Sequence, residues 1–274
     1  MTDASAETVI SARDLTLRYR SHNPETRSLA VDGANLDLAD GEVLAIVGET
    51  GSGKSTLAKA LALLAENPEL DSPVITGGTL RILGQEVRGI STHRANKLSG
   101  AIGYLPQEAG DYLSPRLTVG ENVAVPIFSR SRRFSQQRAG EMVATLIDAV
   151  RLPLAIMGKY PHELSKGQRQ RVAIARSLIL EPRILIADDP TAGVDVTLRA
   201  GILDTIVELQ RATECSTLII TADLAEVRRV STRVAVMHRG AIVGSGNVDD
   251  LLADARHSYL RELAQTPAGR TAAI

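Results

Sequence analysis

Nine consecutive residues, Gly48-Glu49-Thr50-Gly51-Ser52-Gly53-Lys54-Ser55-Thr56, have the types and spacing needed to cradle a polyphosphate. Glycine permits the backbone angles that turn successive N–H groups inward as an anion nest. A helix opening at this point adds free donors and the positive end of its dipole. The Lys54 ammonium can reach the β- and γ-phosphates of a nucleotide, and the Ser55 hydroxyl can ligate Mg²⁺. A plain Gly-rich turn between a strand and a helix is the competing reading. Far along the chain, Ile184-Leu185-Ile186-Ala187-Asp188-Asp189-Pro190-Thr191 begins apolar and ends on two adjacent carboxylates. Successive side chains of a strand point opposite ways, so the two acids do not share one job. An Asp ending a buried strand beside a phosphate-binding loop commonly holds Mg²⁺, often through water, which assigns Asp188. Asp189 then stands where a carboxylate can orient an attacking water. Asp-Pro also favours turns, so a capping or turn role competes for both acids.

These residues need elements to carry them. Val43–Val47 is a short apolar run ending at the Gly-rich turn, and a helical pattern follows from Ser55 to about Glu66, with Leu57, Leu61 and Leu64 on one face. Val9–Tyr19 alternates like a strand, and Gly77-Gly78, Gly84 and Gly89 punctuate short strand-like pieces. Helices are expected over Ser135–Leu152 and over Ser165–Leu180, the second stopped at Glu181-Pro182. Strand Ile184–Asp188 follows, then a helix through Leu198–Gln210 and a strand over Thr217–Thr221. A helix near Asp223–Val230, a strand over Val234–Met237 and an Arg239-Gly240 turn into Ala241–Gly244 close the pattern. Strand alternating with helix predicts an α/β fold with a parallel sheet, interrupted by a mostly helical insertion over Gln107–Leu164.

Composition narrows the class. A 274-residue chain, 44% hydrophobic and 23% charged, is long enough for a real core. Its net charge of −1 gives a nucleic-acid partner no global electrostatic support, and none is expected. The lone Cys215 cannot form an internal disulfide, which fits a reducing compartment. No apolar run approaches a membrane span of roughly 18 residues, so any membrane role requires spanning helices from another chain.

Between the loop and the acids lies Tyr160-Pro161-His162-Glu163-Leu164-Ser165-Lys166-Gly167-Gln168-Arg169-Gln170-Arg171. With the phosphate loop, Leu164–Gln168 resembles the signature of ABC ATPases. Gln107, after Ile102-Gly103-Tyr104-Leu105-Pro106, resembles their Q-loop, and Ala192-Gly193-Val194-Asp195 their D-loop. Leu113–Glu121 and Arg256-His257-Ser258-Tyr259-Leu260 are similar to the ATP-binding subunits of oligopeptide, dipeptide and nickel importers. The resemblance implies a P-loop NTPase core with a parallel sheet, an antiparallel β subdomain and an inserted helical subdomain. The single domain is expected over 9–263. Its nucleotide-binding core spans 9–106 and 180–250, its helical subdomain and signature helix 107–179, and its C-terminal helix 251–263. Residues 1–8 and 264–274 are expected as flexible tails. The resemblance further implies ATP and Mg²⁺ as cofactors, the metal being held by Ser55, Gln107 and Asp188, and adenine stacked on Tyr19. No iron–sulfur cluster is expected, because the cysteine-rich extension of some relatives is missing.

The family pattern implies a head-to-tail dimer in which each ATP meets one subunit's phosphate loop and the other's signature. Ser165 has N-cap chemistry at a helix start, which suits a γ-phosphate across an interface and equally suits simple capping within one chain. Three positions depart from the family. Asp189 stands where Glu is usual, retracting the carboxylate by about 1.5 Å. Misplacement on this scale costs on the order of 100-fold, or about 2.7 kcal/mol of barrier. Ala222, after the strand Thr217–Thr221, stands at the switch position where the family has His, and a methyl group can neither bond a phosphate nor position water. Lys166 replaces a frequent Gly of the signature. The expected arrangement is therefore a heterodimer with a second ABC ATPase that carries the intact residues. Two permeases and an extracytoplasmic binding protein would complete it at the cytoplasmic face of the cell membrane. A soluble nucleotide-gated clamp remains the alternative.

Overall fold

The computed structural model describes residues 7–19, 29–65, 72–231 and 233–266. Of the expected tails 1–8 and 264–274, residues 1–6 and 267–274 lie outside these residues, as does Glu66, the expected end of the first helix, while residues 264 and 265 belong to a helix. The chain divides into two compact units: one runs to Ser99 and resumes at Ser216, and the other is Gly100–Cys215.

The first unit opens with β1 (Thr8–Tyr19), β2 (Leu29–Ala39) and β3 (Val43–Val47), then α1 (Lys54–Leu61), β4 (Pro73–Ile82), β5 (Gln85–Glu86) and α2 (Thr92–Leu98). Thr8 is already strand, so β1 starts one residue earlier than the sequence implied. Helix α1 stops at Leu61, with Leu63 at φ +60°, shorter than the run of leucines predicted. Strands β2-β1-β4-β5 form an antiparallel sheet. Gly77-Gly78 does not separate two strands. It lies inside β4 at a register shift against β1, where a Cβ on Gly78 would run into the carbonyls of Arg13 and Asp14. The glycine pair is thus a bulge that lets two backbones approach.

The second unit holds β6 (Ile102–Leu105), α3 (Val119–Arg130), α4 (Gln136–Ala149), α5 (Lys166–Leu178), β7 (Ile184–Asp188) and α6 (Val196–Thr213). The helices expected over Ser135–Leu152 and Ser165–Leu180 keep their places but lose their flanks, whereas the one expected over Leu198–Gln210 extends at both ends. Ser135 and Ser165 are N-caps, their hydroxyls accepting from Arg138 N and Gln168 N. Strands β6 and β7 are parallel, with Leu105 opposite Ala187. All five residues of β7 are buried, as its unbroken apolar character demands.

The chain then returns to the first unit with β8 (Ser216–Thr221), α7 (Leu224–Val230), β9 (Arg233–His238), β10 (Ala241–Asn247), α8 (Val248–Ala253) and α9 (Ser258–Gln265). Two short helices replace the single one expected over 251–263. Strand β3 is parallel to both β8 and β9, and β10 is antiparallel to β9. One face of this sheet, Ala45, Val47, Val234 and Val236, is sealed by Leu224 and Val227 of α7, Leu252 of α8 and Leu260 of α9. Burying a side chain of this size is worth about 1.5–3 kcal/mol, which holds the loop after β3 on a rigid base.

Candidate nucleotide site

In the first unit the phosphate loop leaves β3 at its C-terminal end. Val47 pairs with Thr221 and Val236, so Gly48 emerges level with Ala222 on one neighbour and Met237 on the other. A Cβ on Gly48 would strike the Met237 carbonyl, and one on Gly53 would strike the Ala30 carbonyl. Gly53 is the N-cap of α1 at φ +102°, and the first turn carries neither a side-chain cap nor an acidic residue. The N–H groups of a helix start point along its axis toward the loop, the direction from which an anion is bound. Lys54 is buried, its Nζ 2.6 Å from Gly48 O and 2.7 Å from Glu49 O, so the ammonium lies within the loop's own curve. The turn after β9 pins the loop from outside, Gly240 N donating to Ser52 O at 2.9 Å.

Tyr19 reaches α1. Its Oη lies 3.3 Å from Thr56 Oγ1, and Lys59 Nζ lies 5.6 Å from the ring centroid. Ala222 is exposed between β8 and α7. Lys59 and His238 beside the loop were not singled out by sequence, and Tyr259 only within the importer-like stretch 256–260. Lys59 meets Tyr19, His238 Nδ1 lies 2.9 Å from Glu49 Oε1, and the Tyr259 ring stacks on His238 at 4.5 Å. The His238 contact is a close approach rather than a directed hydrogen bond, since Nδ1 has no partner in hydrogen-bond geometry. Burial, and then the Glu49 charge, push the Tyr259 phenol above its ordinary range.

The second unit carries the other candidates. Because Leu105 faces Ala187, Pro106 and Gln107 leave the sheet level with Asp188 and Asp189. Asp188 is 3% exposed at the end of β7. Asp189 turns out of the strand at φ +47°, a left-handed conformation that Asp tolerates better than most residues. Ala192 N donates to its carbonyl, so the Asp-Pro turn read from sequence is present alongside any catalytic role. Ser165 is exposed and reciprocally capped: it accepts from Gln168 N at 3.2 Å, while Gln168 Oε1 accepts from Ser165 N at 2.9 Å. Leu164 is buried beneath this turn, and Gly167 lies against Leu198. Asp195 caps α6, and hydrogen bonds from Thr197, the backbone one foremost, hold its carboxyl below the usual carboxylate range. Glu108 and Gln170, also missed by sequence, pair with residues of this group. The Lys at position 166 was the available signal for the first.

The residues fit a magnesium nucleotide. The loop is a cradle that Cβ atoms would fill, with a buried lysine inside it. Among the described residues no cluster of three His, Cys, Asp or Glu side chains could hold a metal by itself. A hydroxyl and one or two further groups, completed by phosphate and water oxygens, is the usual magnesium arrangement at phosphates.

Residues 31–192 match the family model described as ABC transporter. The chain belongs to this family and is an ATPase subunit of the ABC type. It is 36% identical over 267 residues to the di/tripeptide transport ATP-binding protein DppF of Pseudomonas aeruginosa (strain UCBPP-PA14), covering 96% of this chain and 80% of that one. It is 37% identical over 234 residues to the oligopeptide transport ATP-binding protein OppF of Escherichia coli (strain K12), covering 85% and 68%. Among solved structures, an ATP-binding cassette captured as a dimer after hydrolysis, with ADP and Pi, matches with TM-score 0.75 at 26% identity, covering 87% of this chain and 98% of that one. The cbiO1 protein of Clostridium perfringens, part of an ABC transporter complex, matches with TM-score 0.76 at 26% identity, covering 97% and 98%.

Proposed function

We propose that this chain is the ATP-binding subunit of an importer for peptides or a related small solute, acting at the cytoplasmic face of a membrane through two permease chains. The names of the relatives support the substrate class. No helix of the described residues is long and apolar enough to cross a membrane, so the membrane path belongs to partners. In this reading Gly48–Thr56 holds the phosphates and Tyr19 stacks on adenine. Ser55, Gln107 and Asp188 serve Mg²⁺, which when bound neutralises phosphate charge. Lys54 orients the β/γ-phosphates, and Asp189 is a weak water-positioning group. Ser165, with Lys166, Gly167 and Gln168, serves the partner's ATP.

The observation that carries the asymmetric part of the reading is the pair Asp189 and Ala222: a shortened carboxylate and a methyl group where a carboxylate and an imidazole would handle the attacking water. The exposed signature start at Ser165 remains intact. Val196 is 74% and Leu198 46% exposed directly after Asp195, an apolar surface of the kind a partner covers. This supports a heterodimer in which the partner's site does most of the hydrolysis.

The test is ATP hydrolysis by the assembled complex. Ser165→Arg should nearly abolish it, because bulk replaces the helix start that meets the partner's γ-phosphate. Asp189→Asn should change it little. A large loss from Asp189→Asn with a mild effect of Ser165→Arg would reverse the roles.

A further inference from the structure

Helix α5 carries Lys166 and Gln170 one turn apart, so both project from the same face. Each reaches a residue just after Gln107, and each also meets the turn that follows Asp189. On the inner level Gln170 is 2% exposed. Its Oε1 accepts from Gly110 N at 3.1 Å, and its Nε2 donates to Pro190 O at 2.7 Å. On the outer level Lys166 Nζ lies 2.8 Å from Glu108 Oε1, and this pair lies directly over Gly193, where any Cβ would collide with both charged groups.

Two backbone features fit this arrangement. Glu108 sits at φ +51°, a conformation rarely held by a residue of its type unless its surroundings impose it. Gly110 lies flat on α5, and a Cβ there would come 2.8 Å from Arg169 Cβ. The outer pair is 38% and 46% exposed, so its contribution to stability is small. The inner bonds are buried, and removing the amide leaves a donor and an acceptor unpaired.

We infer that Lys166 and Gln170 form a two-rung brace tying the segment after Gln107 to the turn after Asp189, and so act as positioning residues for the groups that handle metal and water. Lys166, a departure from the usual signature glycine, is then part of a compensating set with Glu108 and Gly193. A shift of one segment is transmitted to the other through the signature helix. The role in hydrolysis rests on the reading of Gln107, Asp188 and Asp189 given above; the brace itself does not.

Hydrogen–deuterium exchange on the full chain tests the brace, followed over residues 107–113 and 188–195. Gln170→Met should raise exchange in both segments together by about tenfold, the equivalent of one lost hydrogen bond. Lys166→Glu should loosen both segments more mildly, and adding Glu108→Lys should restore protection. If only one segment responds, or the charge exchange rescues neither, the brace does not exist. In a complex whose partner has its phosphate-loop lysine replaced, so that this chain's own site supplies the residual turnover, Gln170→Met should lower that residual kcat with little change in KM for ATP. Coupled exchange with unchanged residual kcat, in a complex whose residual turnover Lys54→Ala abolishes, would overturn the positioning role while leaving the site assignment standing. Loss of neither activity nor binding on Lys54→Ala would instead count against the site.

Discussion

At the scale of single residues, the strongest expectation concerns Lys54. Its ammonium lies inside the loop against two carbonyls, held where a polyphosphate would replace them as partner. Removing a charged hydrogen-bond donor costs about 1.5–3 kcal/mol, so Lys54→Ala should weaken MgATP binding by roughly 10- to 100-fold, measured by calorimetry. An unchanged affinity removes the phosphate-loop assignment. The acid pair is subtler. Asp189 at φ +47° adds a backbone reason for Asp beyond the length of its side chain, because Glu enters this region less readily. Asp189→Glu with Ala222→His should raise hydrolysis by the complex and slightly lower the thermal midpoint. No gain in rate would mean that the weakness extends past these two positions.

At the scale of elements, the loop depends on close approach as much as on charge. Gly53→Ala puts a Cβ into the Ala30 carbonyl at a residue that sits at φ +102°, and should cost more than about 1 kcal/mol of stability as well as nucleotide affinity. Helix α3 offers a control away from the site. Thr118 caps it, its hydroxyl accepting from Glu121 N at 3.3 Å, while Glu121 Oε2 accepts from Thr118 N at 2.7 Å. Thr118→Ala should cost about 1 kcal/mol in denaturant unfolding. The Thr118 bonds, that from the backbone foremost, hold the Glu121 carboxyl below its ordinary value. Its charge therefore contributes stability above the ordinary glutamate range and loses it as pH falls through the lowered value. The difference between wild type and Glu121→Gln, followed by thermal melting across acidic pH, should shrink toward zero at the acid end. A difference independent of pH would show that the charge plays no part.

At the scale of the whole molecule, on the asymmetric reading proposed above, two copies of this chain would contain two copies of the same Asp189/Ala222 combination. The purified chain should therefore be monomeric or weakly self-associating and hydrolyse ATP far below a common enzyme rate of about 10 per second. A steady-state rate near that value would remove the asymmetric reading. Affinity purification should recover membrane chains and a second ATPase. Recovery of a soluble complex alone would favour the clamp.

The phosphate loop and the paired acids could be located in the sequence because their patterns are local. The nest needs glycines at fixed steps from a lysine, and β7 needs an unbroken apolar run before Asp188, so both are written in consecutive residues. The starts of α4 and α5 were equally readable, since Ser135 and Ser165 are caps whose partners lie three residues on. What the chain could not reveal depends on segments far apart in sequence. The register of β6 against β7 brings Gln107 level with the acids, and β3 against β8 brings Gly48 level with Ala222. Gly77-Gly78 read as punctuation because the strand it bulges against lies some sixty residues earlier. The contacts of Gln170 with Gly110 and Pro190 span 60 and 20 residues, and no periodicity records them. Residue types specify which hydrogen bonds and charges are available; only the packing of the folded chain decides which of them meet.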